Sequence, residues 1–319
     1  MRSVIEDSRI ASNENGIDDA ASRHQRATRP DSRHKGQQRA DVPRSVHGVA
    51  EIGFANRGGV TRLRHLYERD PLRVLFPRPE PGEPPQAVIV TTSGGLVAGD
   101  RIDVSVALED GATAHVTASA AEKIYRSLGQ TTEINQSMQV GNNAVLEFLP
   151  PETILFDSAR LRRATTVDLA ARGAFFGGDI VIFGRRARGE RFTRGLLHEV
   201  WEIRREGRLI WGDALHLAED VGRIIEDPAC FDGAAGFATL IWAPADNNLG
   251  SLLNGARVVQ SAAAGDGIKG GISIVNGLLL ARWLGFDTLL MRQAYADLAC
   301  YLRAKALNLP RCLPRLWHV

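Results

Sequence analysis

The sequence predicts a mainly β protein of the α+β class, with helix confined to its C-terminal part. Three observations carry this. Ile102, Val104, Val106 and Leu108 alternate with polar or small residues, the period-2 pattern of a half-buried strand. Turn signals recur at Asp110-Gly111, Gly141-Asn142-Asn143, Arg172-Gly173 and Glu206-Gly207, with short β-prone runs between them. Helical periodicity enters only after residue 248. Short strands at this spacing argue for a large, mostly antiparallel β architecture rather than a βαβ repeat.

Taken in order, residues 1–47 stand apart. No aromatic residue precedes Phe54, and Arg23, Arg26, Arg29, Asp31, Arg33 and Lys35 mix both signs of charge. Such a segment buries too little apolar surface to offset its ordering entropy, which predicts a disordered leader with a solvated basic stretch from Arg23 to Arg39. One β-rich domain is expected over residues 48–319. The prolines at 77, 79, 81, 84 and 85 predict a rigid surface loop. Beyond the first strand, Ala112, Ala114 and Val116 resume the alternation after the Asp110-Gly111 turn. Further strands are expected at Val145–Phe148, Thr165–Leu169, Ile180–Phe183, Val200–Ile203 and Leu209–Trp211. Two helices follow. Leu249–Ala263 places Leu252, Leu253, Ala256 and Val259 on one face. In Asp287–Leu307, Leu290, Ala294, Leu298 and Leu302 recur every four residues, with Asp287 as N-cap and Pro310 just past the end.

Composition excludes some classes. A net charge of +2 implies neither nucleic acid nor an anionic membrane as partner. No apolar run approaches the ~20 residues that span a bilayer, and the N-terminus lacks the apolar stretch of a secretory signal. Three scattered cysteines, Cys230, Cys300 and Cys312, do not form a disulfide framework and suit a reducing cytoplasm.

The motifs yield no complete catalytic or metal-binding constellation. Ser93 to Asp100 is glycine-rich but lacks phosphate-loop spacing, and a strand follows where a helix N-terminus is needed, so a tight structural turn is expected. Gly265 to Gly270 has dinucleotide spacing in the reverse order, helix before strand. The eight histidines include no His-x-x-x-His pair and there is no Cys-x-x-Cys, which argues against a tight zinc-type site. Asp100, Glu152, Asp179, Glu190 and Asp213 lie at strand ends or in strand-like segments. There a carboxylate usually caps a turn or pairs with an arginine, such as Arg101, Arg185, Arg186 or Arg188. A hydrolytic or carbohydrate-active β-rich enzyme remains the alternative, and a nucleotide-binding protein a third.

Several segments nevertheless form an ordered series. They are Thr91 to Asp100, Glu122 to Ser127, Leu149 to Phe156 and Gly184 to Glu190, then Leu72 to Pro77, Gly277 to Gly285 and the closing Pro314-Arg315-Leu316-Trp317. This series resembles the urease accessory protein UreD (UreH) family over about residues 48–319. The resemblance implies a β-helix-like domain with about two helices near the C-terminus, and no catalytic activity. It implies a nickel-insertion chaperone that binds UreF, recruits the GTPase UreG through UreF and acts on apo-urease. The expected assembly is a dimer of UreD–UreF heterodimers. Nickel(II) is then cargo in transit, with no tightly bound cofactor.

Imidazole and thiolate bind nickel(II) tightly, whereas carboxylates and hydroxyls with retained water release it. Asp100, Asp179, Glu190 and Asp213, with Thr92, Ser93 and Glu152, are therefore the candidates for lining a passage. The C-terminal helix and tail, through Leu313, Arg315 and Trp317, form the candidate partner surface, since aromatic residues and arginine are enriched at interfaces.

Overall fold

The computed structural model describes residues 45–246, 249–263, 265 and 267–318. The expected leader therefore lies outside the described residues, apart from Ser45 to His47. His47 already opens the first strand.

β1 (His47–Arg57) and β2 (Val60–Arg69) form an antiparallel hairpin. β3 (Leu72–Leu75) pairs antiparallel with β4 (Gln86–Thr91) across the proline loop. Then come β5 (Arg101–Leu108), β6 (Thr113–Ala118), β7 (Glu122–Ile124), β8 (Thr132–Val140), β9 (Val145–Phe148) and β10 (Thr153–Leu155). β11 (Arg160–Leu169), β12 (Ala174–Phe183), β13 (Gly195–Arg205) and β14 (Arg208–Glu219) complete the main run. The remaining elements are α1 (Val221–Glu226), β15 (Gly236–Ala243), α2 (Gly250–Ala262), β16 (Ile268–Val275), β17 (Leu278–Gly285) and α3 (Thr288–Ala306).

These strands form two sheets. The first has seven strands in the order β14-β13-β11-β8-β5-β1-β2, parallel from β1 to β13 and closed at each edge by an antiparallel strand. The second, of ten strands, follows β16-β17-β15-β12-β9-β6-β4-β3, with β10 beside β12 and β7 beside β10. Its β4, β6, β9 and β12 are parallel. From β4 to β13 the chain passes back and forth between the sheets, so each circuit adds one parallel strand to each, with β7 and β10 as short additions to the second. The winding is β-helical, as the family resemblance implied, and parallel pairing replaces the mostly antiparallel architecture read from spacing alone. Strand length and alternation do not distinguish a hairpin return from a circuit.

The turn signals stack. Asn142 N donates to Asp110 Oδ1 at 2.7 Å, and Arg172 N donates to Asn142 Oδ1 at 3.1 Å. Backbone bonds run Gly111 N to Asn142 O and Asn143 N to Arg172 O. Glycine is required at 173, where a Cβ would lie 2.7 Å from the Val140 carbonyl oxygen of the turn beneath.

Ile52, Val106, Met138, Val167 and Trp201 from the first sheet meet Val116, Leu146, Phe175 and Val181 from the second. A separate core forms on the outer face of the second sheet, where Phe176, Leu240 and Trp283 receive Met291, Tyr295, Leu298 and Leu302 of α3. β12 is covered on both faces, which is why every one of its residues is buried. α2 and α3 occupy the expected segments, and the Asp287 side chain accepts from Leu289 N and Leu290 N at 2.8 and 3.1 Å. These are the two helices expected near the C-terminus, and among the described residues a short α1 is added to them. α1 has only six residues and buries just Val221 and Ile225, too few to register as a helical period. No helix among the described residues is long and apolar enough to cross a membrane.

Candidate functional site

Between their ends, the inward faces of β11 and β13 carry charged side chains at one level only. In β11, Arg163 follows Leu161 and precedes Thr165 and Val167 on the inward face. In β13, Glu199 sits between Leu197 and Trp201. Asp179 faces them from β12, and all three side chains are about 95% or more buried. The Arg163 guanidinium donates to Glu199 Oε1 from Nη2 at 2.5 Å and from Nε at 3.1 Å, and to Thr153 Oγ1 from Nη1 at 2.9 Å. It also donates to Asp179 Oδ2. Trp201 Nε1 donates to Glu199 Oε1 at 3.2 Å, while Glu199 Oε2 is buried with no partner.

Two carboxyls share one guanidinium, so they do not titrate alike. Burial, and then the Glu199 charge, push Asp179 well above the ordinary carboxylate range. Burial acts the same way on Glu199, but the Arg163 charge beside it holds it below. The two carboxyls therefore titrate as a pair, with Asp179 the higher of the two. Both carboxyls bind the same guanidinium nitrogen between the sheets, rather than flanking a substrate cleft as glycosidase carboxylates do.

Register partners of the cluster line a surface cavity. A cavity of about 580 Å³ opens where β14 approaches β15 and β17, and its lining includes Asp213, Leu215, Thr239, Arg282 and Trp283. Thr239 is in register with Asp179 across β12 and β15, and Leu215 with Glu199 across β13 and β14, so each shares a face with its partner. Asp213 stands at the mouth, paired with Arg282 Nη2 at 2.5 Å. Beyond Thr153, its register partner Glu122 accepts from Thr91 Oγ1 at 2.6 Å. Burial raises the Glu122 carboxyl against the hydrogen bonds from Thr91 and the Lys123 amide.

The structure brings Asp179 and Asp213 to this line and places the other candidates elsewhere. Asp100 is buried but accepts from Val46 N at 2.9 Å and Val97 N at 2.8 Å, closing the Ser93–Asp100 turn. In that turn a Cβ on Gly95 would meet the Tyr125 ring at 2.6 Å, the close packing expected of it. Thr92 Oγ1 donates to Pro71 O and Ser93 Oγ to Gly95 O. Glu190 pairs with Arg185 at 2.6 Å, and Arg185 covers the Phe156 ring. Glu152 pairs with Arg292 at 3.3 Å. Leu313 and Trp317 are buried, the latter stacked on Tyr295 and donating Nε1 to Leu149 O at 3.0 Å. Packing on the chain's own core uses both, and only Arg315 of the tail triad is exposed. Of the Gly265–Gly270 segment, Ile268 to Gly270 belong to β16, paired antiparallel to β17, and Asp266 lies outside the described residues.

Asp100 gives a direct test of a structural role. Asp100→Ala leaves two backbone donors unpaired, which costs about 2–3 kcal/mol. Urea unfolding of the variant should show a midpoint shifted down accordingly.

Sequence reasoning missed Arg163, Glu199, Glu122 and Thr91. A signal existed for the first two: a charged residue at an inward position of an otherwise apolar alternation. Among the described residues, no group of three or more His, Cys, Asp or Glu is placed to hold a metal ion.

A wound two-sheet β protein with a buried ionisable line and a helical cap on one face is the class that these features define. The chain belongs to the UreD urease accessory protein family, which it matches over residues 46–318. It is 41% identical over 276 residues to urease accessory protein UreD of Magnetococcus marinus, covering 86% of this chain and 94% of the relative. It is 39% identical over 273 residues to that of Rhodopseudomonas palustris (strain BisA53), covering 84% and 90%. A relative of the same name in Methylobacterium sp. is 40% identical over 263 residues, covering 82% and 90%.

Proposed function

We propose that this chain acts in urease maturation as a non-catalytic scaffold and nickel conduit. It works in the cytoplasm with UreF and, through UreF, the GTPase UreG, on apo-urease, as a dimer of heterodimers. The observation that carries the conduit reading is the buried Asp179–Glu199 pair, in register with the walls of the cavity whose mouth holds Asp213. Nickel(II) is the cargo, and no resident cofactor is proposed.

The chemistry of the pair suits transit. Glu199 Oε2 is an unused acceptor, and Asp179 is the carboxyl that burial and the Glu199 charge raise. Arg163 opposes a second positive charge, so the pair binds weakly and releases readily, as passage between sites requires. Asp100, Glu152, Glu190, Thr92 and Ser93 serve this reading by holding turns and ion pairs rather than as ligands.

For partner docking, a cavity of about 830 Å³ lined by Leu75, Phe76, Pro77, Leu313, Pro314 and Arg315 joins the proline loop to the tail. Its apolar lining and exposed Arg315 support a UreF contact here. Leu313 and Trp317 act from beneath by fixing the tail.

Asp179→Asn tests the conduit separately from folding. Burial raises the Asp179 carboxyl in the folded state, so its contribution to stability is full below the ordinary carboxylate pKa of ~4 and declines as pH rises toward the raised value. The amide removes that decline. The variant should be at least as stable as the wild type at pH 8 and still bind UreF. Together with Asp213→Asn, it should lower the nickel content of urease produced at limiting nickel several-fold. Full loading with both substitutions in place would refute the conduit.

A further inference from the structure

The structure also pairs two histidines that are 18 residues apart in sequence. His198 on β13 and His216 on β14 are direct register partners on the outer face of the first sheet, opposite to the inward Glu199 and Asp213. Their Nδ1 atoms lie 3.2 Å apart and the rings are inclined at 70°. Among the described residues, neither ring has another hydrogen-bond or ion-pair partner. His216 also lines a cavity of about 770 Å³ with Arg160, Arg162 and Arg194.

The separation has chemical meaning. Two imidazole nitrogens bound to one metal at ~2.0–2.1 Å, with an angle between tetrahedral and right-angled, lie about 2.8–3.4 Å apart. The observed distance falls within that bite. An ion there needs little rearrangement of either strand, because cross-strand pairing already fixes both Cα positions. Water completes the coordination, as no third protein ligand is in place.

The surroundings select the kind of ion. Arg162 is in register with His198, and Arg160 and Arg194 stand nearby, against Glu219 and Asp220 at the end of β14. A hard cation held by charge alone gains little beside three guanidiniums. A late transition metal is held by its affinity for imidazole nitrogen, which rises from manganese(II) through nickel(II) to copper(II).

We propose that His198 and His216 form a solvent-facing two-histidine site that binds one divalent late-transition-metal ion. The site is independent of the interior conduit, since its ligands point away from Asp179 and Asp213.

The test uses the full-length chain carrying Asp179→Asn and Asp213→Asn, so that interior binding does not contribute. Calorimetric titration with Ni²⁺ alone should show one equivalent bound. His198→Ala or His216→Ala should remove it or weaken it at least tenfold, with the thermal unfolding curve unchanged. Cu²⁺ used as a paramagnetic probe should couple to two imidazole nitrogens in the parent and to one in each single variant. Titrations that match the parent in both histidine variants, or an unchanged nitrogen count, would overturn the site. Nickel loading of urease does not enter this outcome, so the conduit and the surface site stand or fall separately.

Discussion

Arg163→Met should destabilise the protein by about 3–5 kcal/mol, because it leaves buried charge without its partner. One guanidinium serves Glu199, Asp179 and Thr153 at once, at a level between the sheets where the other neighbours are apolar. Methionine fills much of the volume but donates nothing. Glu199, now held down by Arg163, loses the charge that keeps it ionised, and both carboxyls move upward. Folded-state values above the unfolded ones mean stability that is full below about pH 4 and declines as pH rises. The loss should therefore be larger at pH 8 than at pH 5, which urea unfolding at the two values would show. A small, pH-independent loss would mean that water reaches the cluster and solvates it. Adding Asp179→Asn and Glu199→Gln to the same chain should recover part of the stability, since neutral groups tolerate burial better.

Arg303→Met should have a comparable effect, concentrated at the C-terminus. Arg303 on α3 is fully buried, with Nε donating to Glu147 Oε1 at 2.8 Å. It also donates to Glu83 in the proline loop and to the carbonyls of Pro310 and Cys312. One side chain thus ties the helix to β9, to the proline loop and to the tail that carries Leu313 and Trp317. Its pairing with two carboxylates raises its pKa against the burial that would lower it. Without it, Glu147 retains only His115, at 3.3 Å, and the tail loses two anchors. The expected cost is again about 3–5 kcal/mol. Cys300, whose thiol burial pushes up to about 11, reports the change. Its alkylation should accelerate at least tenfold in the variant, and limited proteolysis should cut after α3. Unchanged Cys300 reactivity would mean that apolar packing of α3 holds the tail by itself. UreF binding should fall with the tail, because the groove lined by Phe76 and Leu313 loses one wall.

Much of this fold was legible because its elements declare themselves locally. The alternation of Ile102 to Leu108, the turn dipeptides and the four-residue repeat of α3 each depend on a few neighbouring residues. The winding was legible only through the family resemblance. Whether β5 pairs with β8 or with its own hairpin return depends on contacts between residues about thirty positions apart. The site was half legible for the same reason. Asp179 and Asp213 were singled out as carboxylates in strand-like segments, but Arg163 and Glu199 join Asp179 only when β11, β12 and β13 are brought together. The cross-strand histidines were invisible to a search for His-x-x-x-His, since antiparallel register, not helical spacing, unites them. The tail misled through composition: Trp317 has the character of an interface residue and spends it on Tyr295.

The stacked turns at Asp110, Asn142 and Arg172 have a consequence for how this protein tolerates insertion. Strands here inherit their phase from the turn before them, since each circuit starts where the stack sets it. One extra residue between Arg172 and Ala174 would exchange the two faces of β12, sending Asp179 toward α3 and Ile180 toward Arg163. Two extra residues would restore the faces and shift the level by one pleat. Length changes in these corners should therefore be accepted in even steps and rejected in odd ones, so the corners act as the chain's reading frame.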